Sequence, residues 1–165
     1  MTGYMRDWLE RPGEPASDLD IVVLLLNSLD LLEDPPDRLA GLRQLREALR
    51  AVFHAGSPAE AASLLNPMLV HASAVPQLMA SGAGLRIQVA PQARGLAALS
   101  ARLPAALAEY IAHRGVGRLG TCAALPCQCA FLDRTRAQTR RFCCTACNDR
   151  AAALLYRRRK RAAAS

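Results

Sequence analysis

The sequence predicts a mainly α-helical protein in two parts. The first is a helical domain with a small β-hairpin; the second is a small cysteine-rich module ending in a basic helix. Three observations carry this reading. Just over half of the 165 residues are apolar while only 4% are aromatic, which suits a Leu/Ala/Val core and argues against a disordered chain or an aromatic-rich β-sandwich. Apolar residues recur at helical spacings of three and four through most of residues 17–113. All six cysteines lie between Cys122 and Cys147.

Residues 1–16 carry Gly3, Pro12, Gly13 and Pro15 without apolar periodicity and read as a flexible arm. Ser17 or Asp18 is placed to cap a first helix, because a short side-chain oxygen accepts from the unpaired amides of the first turn. Ile21, Val22, Leu24, Leu25, Leu26, Leu29 and Leu32 make that helix apolar around most of its circumference, and Pro35-Pro36 is its expected end. Asn27 and Ser28 are polar in the middle of this apolar run and need partners if buried. Leu39, Leu42, Leu45, Leu49, Val52 and Phe53 predict a second helix over about 37–55, with Arg43, Arg46, Glu47 and Arg50 on its other face and Gly56 as a stop. Ser57-Pro58-Ala59-Glu60 reads as a capping box with Pro at the first helical position. The short third helix it starts is expected to break at Asn66-Pro67. Residues 84–90 alternate at period two and can pair with 77–80 across Ser81-Gly82-Ala83-Gly84 as a hairpin. A last helix over 93–113 carries the stripe Leu96, Leu99, Leu103, Leu107 and Ile111, with Pro104 as an expected kink or break and Gly115 and Gly117 at the boundary.

Charge divides the chain at the same place. Residues 1–117 hold ten Arg against twelve acidic groups, net −2; residues 118–165 hold ten Arg and Lys160 against Asp133 and Asp149, net +9. The expected domains are therefore the arm at 1–16, a helical domain at 17–117 and the cysteine module at 118–165. The longest apolar run, Ile21 to Leu26, is far below the roughly 18 residues of a spanning helix, and the N-terminus lacks an apolar signal core. A soluble, cytoplasmic protein without a membrane partner is expected.

Residues 17–117 contain no Gly-rich phosphate loop or paired acidic motif, and His54, His71 and His113 are isolated in sequence; they read as surface or satisfied core. The cysteines are different. Cys122, Cys127 and Cys129 are separated by about fifteen residues from Cys143, Cys144 and Cys147, and two close groups at such a distance are what a tetrahedral zinc site takes its ligands from. Disulfides fit poorly without a secretory signal. A redox pair at Cys144 and Cys147 fits poorly without a thioredoxin-like context. With few bulky apolar residues in the module, zinc would supply its missing folding energy. Spacing alone leaves Cys127 and Cys129 competing for one position, and Cys143 and Cys144 for another. After Cys147, residues 149–161 are helical in composition and end in Arg157, Arg158, Arg159, Lys160 and Arg161.

Cys122, Cys127, the triplet Phe131-Leu132-Asp133, the run Arg140-Arg141-Phe142-Cys143, Cys147 and Arg150, in this order and spacing, resemble the CGNR zinc-finger family of bacterial stress-induced regulators. The resemblance covers roughly 118–161. It departs at the signature, where Cys147-Asn148-Asp149-Arg150 stands for Cys-Gly-Asn-Arg, and at Cys144, where relatives usually have Ser. Residues 19–117 resemble the family's helical N-terminal domain through Leu25-Leu26-Asn27-Ser28-Leu29-Asp30. The resemblance implies one Zn²⁺ per chain held by Cys122, Cys127, Cys143 and Cys147, with Cys129 and Cys144 as spare thiols. It also implies a DNA-binding transcription regulator.

Physical chemistry supports a nucleic-acid partner separately. A net +9 module built almost wholly with Arg suits bidentate phosphate contacts. The candidate contacts are Arg140, Arg141, Arg150, Arg157, Arg158, Arg159, Lys160 and Arg161, of which Arg150, Arg157 and Arg158 are candidates to reach base edges from a helix in the major groove. RNA suits the segment less, because it lacks interleaved aromatics for stacking single-stranded bases. The alternative is a zinc-stapled interaction module whose basic helix meets an acidic protein partner. An enzyme is not expected, since an all-Cys zinc site has no open position for a catalytic water. The helical domain is left with three candidate roles: binding an effector, a protein partner, or its own copy in a homo-oligomer.

Overall fold

The computed structural model describes residues 17–28, 39–82, 84–90 and 92–163. The expected arm at 1–16 lies outside them. So do Leu29, Leu32 and the Pro35-Pro36 stop. The described residues divide into two compact units that meet at Val116 and Gly117. The protein is mainly α-helical, with two small antiparallel sheets.

Among the described residues, the first unit holds four α-helices and a hairpin. Helix α1 (Asp18–Leu26) starts in a capping box: the Asp20 amide donates to Ser17 Oγ at 3.2 Å, and the Ser17 amide donates to the Asp20 carboxylate at 3.3 Å. It ends at Leu26, short of the expected stop. The Ser28 hydroxyl donates to the Leu25 carbonyl at 2.7 Å, so Asn27 and Ser28 close the helix instead of sitting in its middle. Arg50 donates to the carbonyl of Leu26, supplying a partner to the C-terminal end of α1 from helix α2 (Ala40–Phe53).

Helix α3 (Pro58–His71) has Ser57 as its cap, with Ser57 Oγ accepting from the Glu60 amide at 3.2 Å. The Glu60 carboxylate accepts from Gly56, one residue before the cap, at 2.8 Å. The helix runs straight through Asn66-Pro67, correcting the expected break. Asn66 and Pro67 lie on the exposed side, so the lost amide bond falls on the solvent-facing side of the helix, while Leu64, Leu65, Met68 and Leu69 keep the inward stripe unbroken. Helix α4 (Gly95–Arg114) likewise continues past Pro104, here a buried residue between Leu103 and Leu107.

The core is aliphatic: Val22, Val23 and Leu26 of α1, Leu45, Leu49, Val52 and Phe53 of α2, Ala61 and Leu65 of α3, and Ala101, Leu103 and Leu107 of α4. Arg102 on α4 pairs with Asp18 through two bonds, the shorter 2.6 Å. The end of the Leu96 side chain, itself partly exposed, lies against Gly41. Strands β1 (Pro76–Ser81) and β2 (Gly84–Val89) form the expected antiparallel hairpin, with Leu78 opposite Ile87 and Ala80 opposite Leu85.

In the second unit, β3 (Leu119–Thr121) pairs antiparallel with β4 (Ala130–Leu132), and the terminal helix α5 spans Thr145–Ala162. It starts four residues earlier than composition indicated, so Cys147 lies in its first turn. No helix among the described residues is long and apolar enough to cross a membrane.

Leu103 is fully buried whereas Val70 is largely exposed. Leu103→Ala should therefore destabilise the helical unit by about 2–5 kcal/mol, and Val70→Ala by no more than about 0.5 kcal/mol. Urea unfolding followed by far-UV circular dichroism, with zinc present throughout, measures both.

Candidate metal centre

The second unit is too small to be held by its apolar residues alone. Its buried cluster consists of Cys122, Ala124, Cys129, Phe131, Cys143 and Cys147, with Cys127, Phe142, Cys144 and Ala151 packed against it. Thiols thus make up much of the core. Cys122 follows β3, Cys127 and Cys129 lie in the turn between β3 and β4, and Cys143 precedes α5. Backbone bonds hold this frame: the Cys122 amide donates to the Cys129 carbonyl at 2.9 Å, the Ala123 amide to Arg141 at 3.0 Å, and the Cys127 amide to Ala124 at 2.7 Å.

The sulfurs of Cys122, Cys127, Cys143 and Cys147 all lie within 4.8 Å of one another. Cys143 Sγ is 3.7 Å from both Cys127 Sγ and Cys147 Sγ. Zinc with sulfur at about 2.3 Å in a tetrahedron sets its ligands about 3.8 Å apart, so the donor set has the element, number and spacing that Zn²⁺ takes. Of the two competing pairs, the converging members are Cys127 and Cys143. The remaining thiols stay close: Cys144 Sγ is 3.9 Å from Cys143 Sγ, and Cys129 is buried beside the cluster and hydrogen-bonds Cys143.

The electrostatics of the metal-free cluster point the same way. Burial is the largest influence on Cys127, pushing its thiol up to about 12, and burial also raises Cys147. Cys143 is raised first by its hydrogen bond with Cys129 and then by burial. Cys122 is lowered: burial would raise it, but the amides of Cys143 and Ala124 outweigh this by stabilising its thiolate. Four thiolates cannot crowd together without a cation, and a divalent ion removes the conflict.

Two features beside the sulfurs were not legible as functional in the sequence. Gly120 faces Phe131 across the β3–β4 pair, and a Cβ there would stand 2.5 Å from the Phe131 ring. Asp133 is buried and accepts from the Thr135 amide at 2.8 Å, the Thr135 hydroxyl at 2.6 Å and the Arg140 amide at 2.9 Å. Burial alone would raise its carboxyl, yet the bonds from Thr135 and Arg140 and the nearby Arg118 charge hold it below the usual carboxylate value. This side chain ties the basic link at 134–140 back onto β4, and Arg118 donates to the carbonyls of Asp133 and Thr135.

The candidate DNA contacts fall into different environments. Arg140 is partly buried; its guanidinium donates to the carbonyls of Phe142 and Cys143 and lies 5.1 Å over the Phe131 ring, so it braces the approach to the metal ligands. Arg141 is exposed, 5.7 Å from the Phe142 ring. Arg150, Arg157, Arg158, Arg159, Lys160 and Arg161 are all exposed along α5. His54, His71 and His113 are exposed too, and the metal-capable cluster among the described residues contains none of them.

Four ligands close one tetrahedron, so elemental analysis should give about one zinc per chain. Ser substitution of Cys122, Cys127, Cys143 or Cys147 should release it, whereas Cys129→Ser and Cys144→Ser should retain it. A second prediction concerns acid. Cys127, Cys143 and Cys147 have raised values and carry protons at neutral pH without metal, so zinc must expel them and its affinity rises with pH. Competition with a chromophoric chelator between pH 6 and 8 should show the logarithm of the apparent affinity climbing by about three to four per pH unit; a flat profile would contradict a four-thiol centre.

Two family models match the chain. Residues 118–160 match the CGNR zinc finger, and residues 3–114 match the family ABATE, described as a putative stress-induced transcription regulator. A search of curated proteins finds no match to the chain. The CGNR match coincides with the sulfur cluster, in agreement with the resemblance carried by Cys122, Cys127, Cys143 and Cys147, and the ABATE match spans more than half of the 165 residues. The chain thus belongs to the ABATE family and carries, after its helical domain, a zinc-binding CGNR finger.

Proposed function

We propose that this protein is a DNA-binding transcription regulator, acting in the cytoplasm by binding and not by catalysis, whose zinc finger presents α5 to the duplex. The observation that carries the reading is the condition of α5 beyond the metal centre. Cys147 is its one buried residue, and from Ala152 to Ala163 every described side chain is exposed. At 1.5 Å per residue, about 16 Å of helix stands clear. Arg150, Arg157, Arg158, Arg159 and Lys160 form no ion pair among the described residues. A helical repeat of 3.6 places Arg150, Arg157 and Arg161 along one stripe, with Arg158 and Lys160 on either side of it and Arg159 opposite. Such a rod suits phosphates on both sides of a groove, while Arg150, nearest the zinc, is the candidate for a base edge. Arg140 supports this reading as a brace rather than as a contact, because its donors are engaged within the finger.

One observation favours a second reading. Leu154, Leu155 and Tyr156 are 45%, 54% and 67% exposed on the same helix. A rod with both cations and uncovered apolar groups is also the form of a helix that seats in the groove of an acidic protein.

Fluorescence anisotropy with a random duplex at several salt concentrations separates the two. DNA contact gives affinity falling with salt at a log–log slope of about 0.9 per phosphate. Replacing Arg158 and Arg159 by Ala should flatten that slope by up to about two and weaken all sequences alike, whereas Arg150→Ala should alter preference among sequences. No duplex binding at low salt, or binding that survives deletion of 157–165, would overturn the proposal.

A further inference from the structure

Two of the six cysteines have no place in the tetrahedron, and they stand in different surroundings. Cys129 is buried beside the cluster. Cys144 is only partly buried, and it occupies the position just before the first turn of α5, where its side chain makes no capping hydrogen bond. Its Sγ lies 3.9 Å from that of Cys143, and its thiol also interacts with that of Cys147. The more accessible of the spare thiols therefore has two metal ligands for neighbours. Cys144-Thr145-Ala146-Cys147 lacks a thioredoxin-like context in the sequence, but the structure gives the pair a different one: a helix start whose second cysteine belongs to the converging sulfurs.

We infer that Cys144 and Cys147 form an oxidation site, at which a hydroperoxide joins the two sulfurs in a disulfide and takes Cys147 away from the metal centre. Geometry selects Cys147 over Cys143. Residues adjacent in sequence have Cα atoms about 3.8 Å apart, shorter than the roughly 4.4–6.8 Å that a disulfide spans, whereas residues three apart across a helical turn are surface neighbours. The chemistry balances in two steps. The Cys144 sulfur attacks the peroxide, the O–O bond breaks, the thiol proton leaves with the departing oxygen as water or an alcohol, and Cys144 becomes a sulfenic acid. The Cys147 thiolate then attacks that sulfur: the S–S bond forms, the S–O bond breaks, and the departing hydroxide takes a proton from solvent as water. Two electrons pass from the two sulfurs to the peroxide. Cys122, Cys127 and Cys143 are then the ligands left, one short of the four that a closed zinc site uses, and α5 loses the side chain that ties its first turn to the centre. The site rests on the metal centre and not on DNA binding, and its test uses no DNA.

The zinc-loaded full chain, its metal content measured first, is treated with hydrogen peroxide beside a chromophoric chelator. About one zinc per chain should be released, and dithiothreitol with added zinc should restore the centre, as it does after a disulfide and not after a sulfinic acid. Trypsin cuts after Arg141 and Arg150, so Cys143, Cys144 and Cys147 fall on one peptide. After alkylation that peptide should carry a disulfide and a single label, on Cys143. Cys144→Ser should keep its zinc and lose the peroxide-driven release, while Cys129→Ser should release zinc as the wild type does, with Cys129→Ala as the same control should serine unsettle the buried position. A label on Cys144 or Cys147, release from Cys144→Ser at the wild-type rate, a wild type that keeps its zinc, or protection by both Cys129 substitutions would each overturn the assignment. A chain without zinc before the oxidant is added would overturn the metal centre and this site together.

Discussion

The convergence of four thiol sulfurs is the constraint on which the basic end of this protein depends. A folded unit normally gathers its chain by burying apolar surface, but here the buried cluster is largely cysteine, and among the described residues of this unit Phe131 and Leu132 are the fully buried large apolar side chains. Crowding thiols is not by itself favourable: three of the four are pushed towards the protonated form when no metal balances them. Zinc turns this cost into folding energy. It also completes the start of α5. The residue before that helix, Cys144, provides no side-chain hydrogen bond to its first turn. A Zn²⁺ with four thiolates carries net charge −2, and with Cys147 in the first turn that charge lies at the positive end of the helix dipole, in the place a capping carboxylate would take.

From this follows a division of labour among arginines that composition alone could not show. Arg118 and Arg140 are spent inside the finger, donating to carbonyls at Asp133, Thr135, Phe142 and Cys143, with Asp133 answering the Arg140 amide. A planar guanidinium with five donors can satisfy several carbonyls of an irregular loop at once, which an ammonium cannot do with the same geometry. The arginines of α5 lie on a regular helix and stay exposed; Arg157 Nε bonds the Ala153 carbonyl along that helix at 3.2 Å and reaches no loop. Counting charge groups both sets together as one +9 patch; local backbone geometry separates them.

The same distinction explains what was legible in the sequence. The zinc finger was readable because ligand chemistry is local in residue type: cysteine spacing indicates convergence whatever the intervening fold. Helix content was readable from periodicity, and the hairpin from its alternation and its Gly-containing turn. Pro67 was read too strictly. It removes one amide bond, a loss that weighs less than breaking the apolar stripe on either side of it, and Pro104 likewise does not end its helix. Whether a proline ends a helix depends on what its neighbours bury, and that is tertiary information. Gly120 under Phe131 was not legible for the same reason, since that glycine is required by a buried ring from the neighbouring strand. Choosing Cys127 over Cys129 and Cys143 over Cys144 on residue spacing alone was impossible, because both choices keep two close groups; the family pattern and then the sulfur distances made it.

A single exposed helix of about 16 Å reaches only a few phosphates, and each contact contributes little at physiological salt. Two helices held on one duplex act very differently from one, because the second binds at the effective concentration set by the first. For the proposed DNA-binding role this sets the requirement: a rod of this length gives weak, salt-sensitive contact by itself, so occupancy of a site would rise steeply only where neighbouring fingers share one duplex.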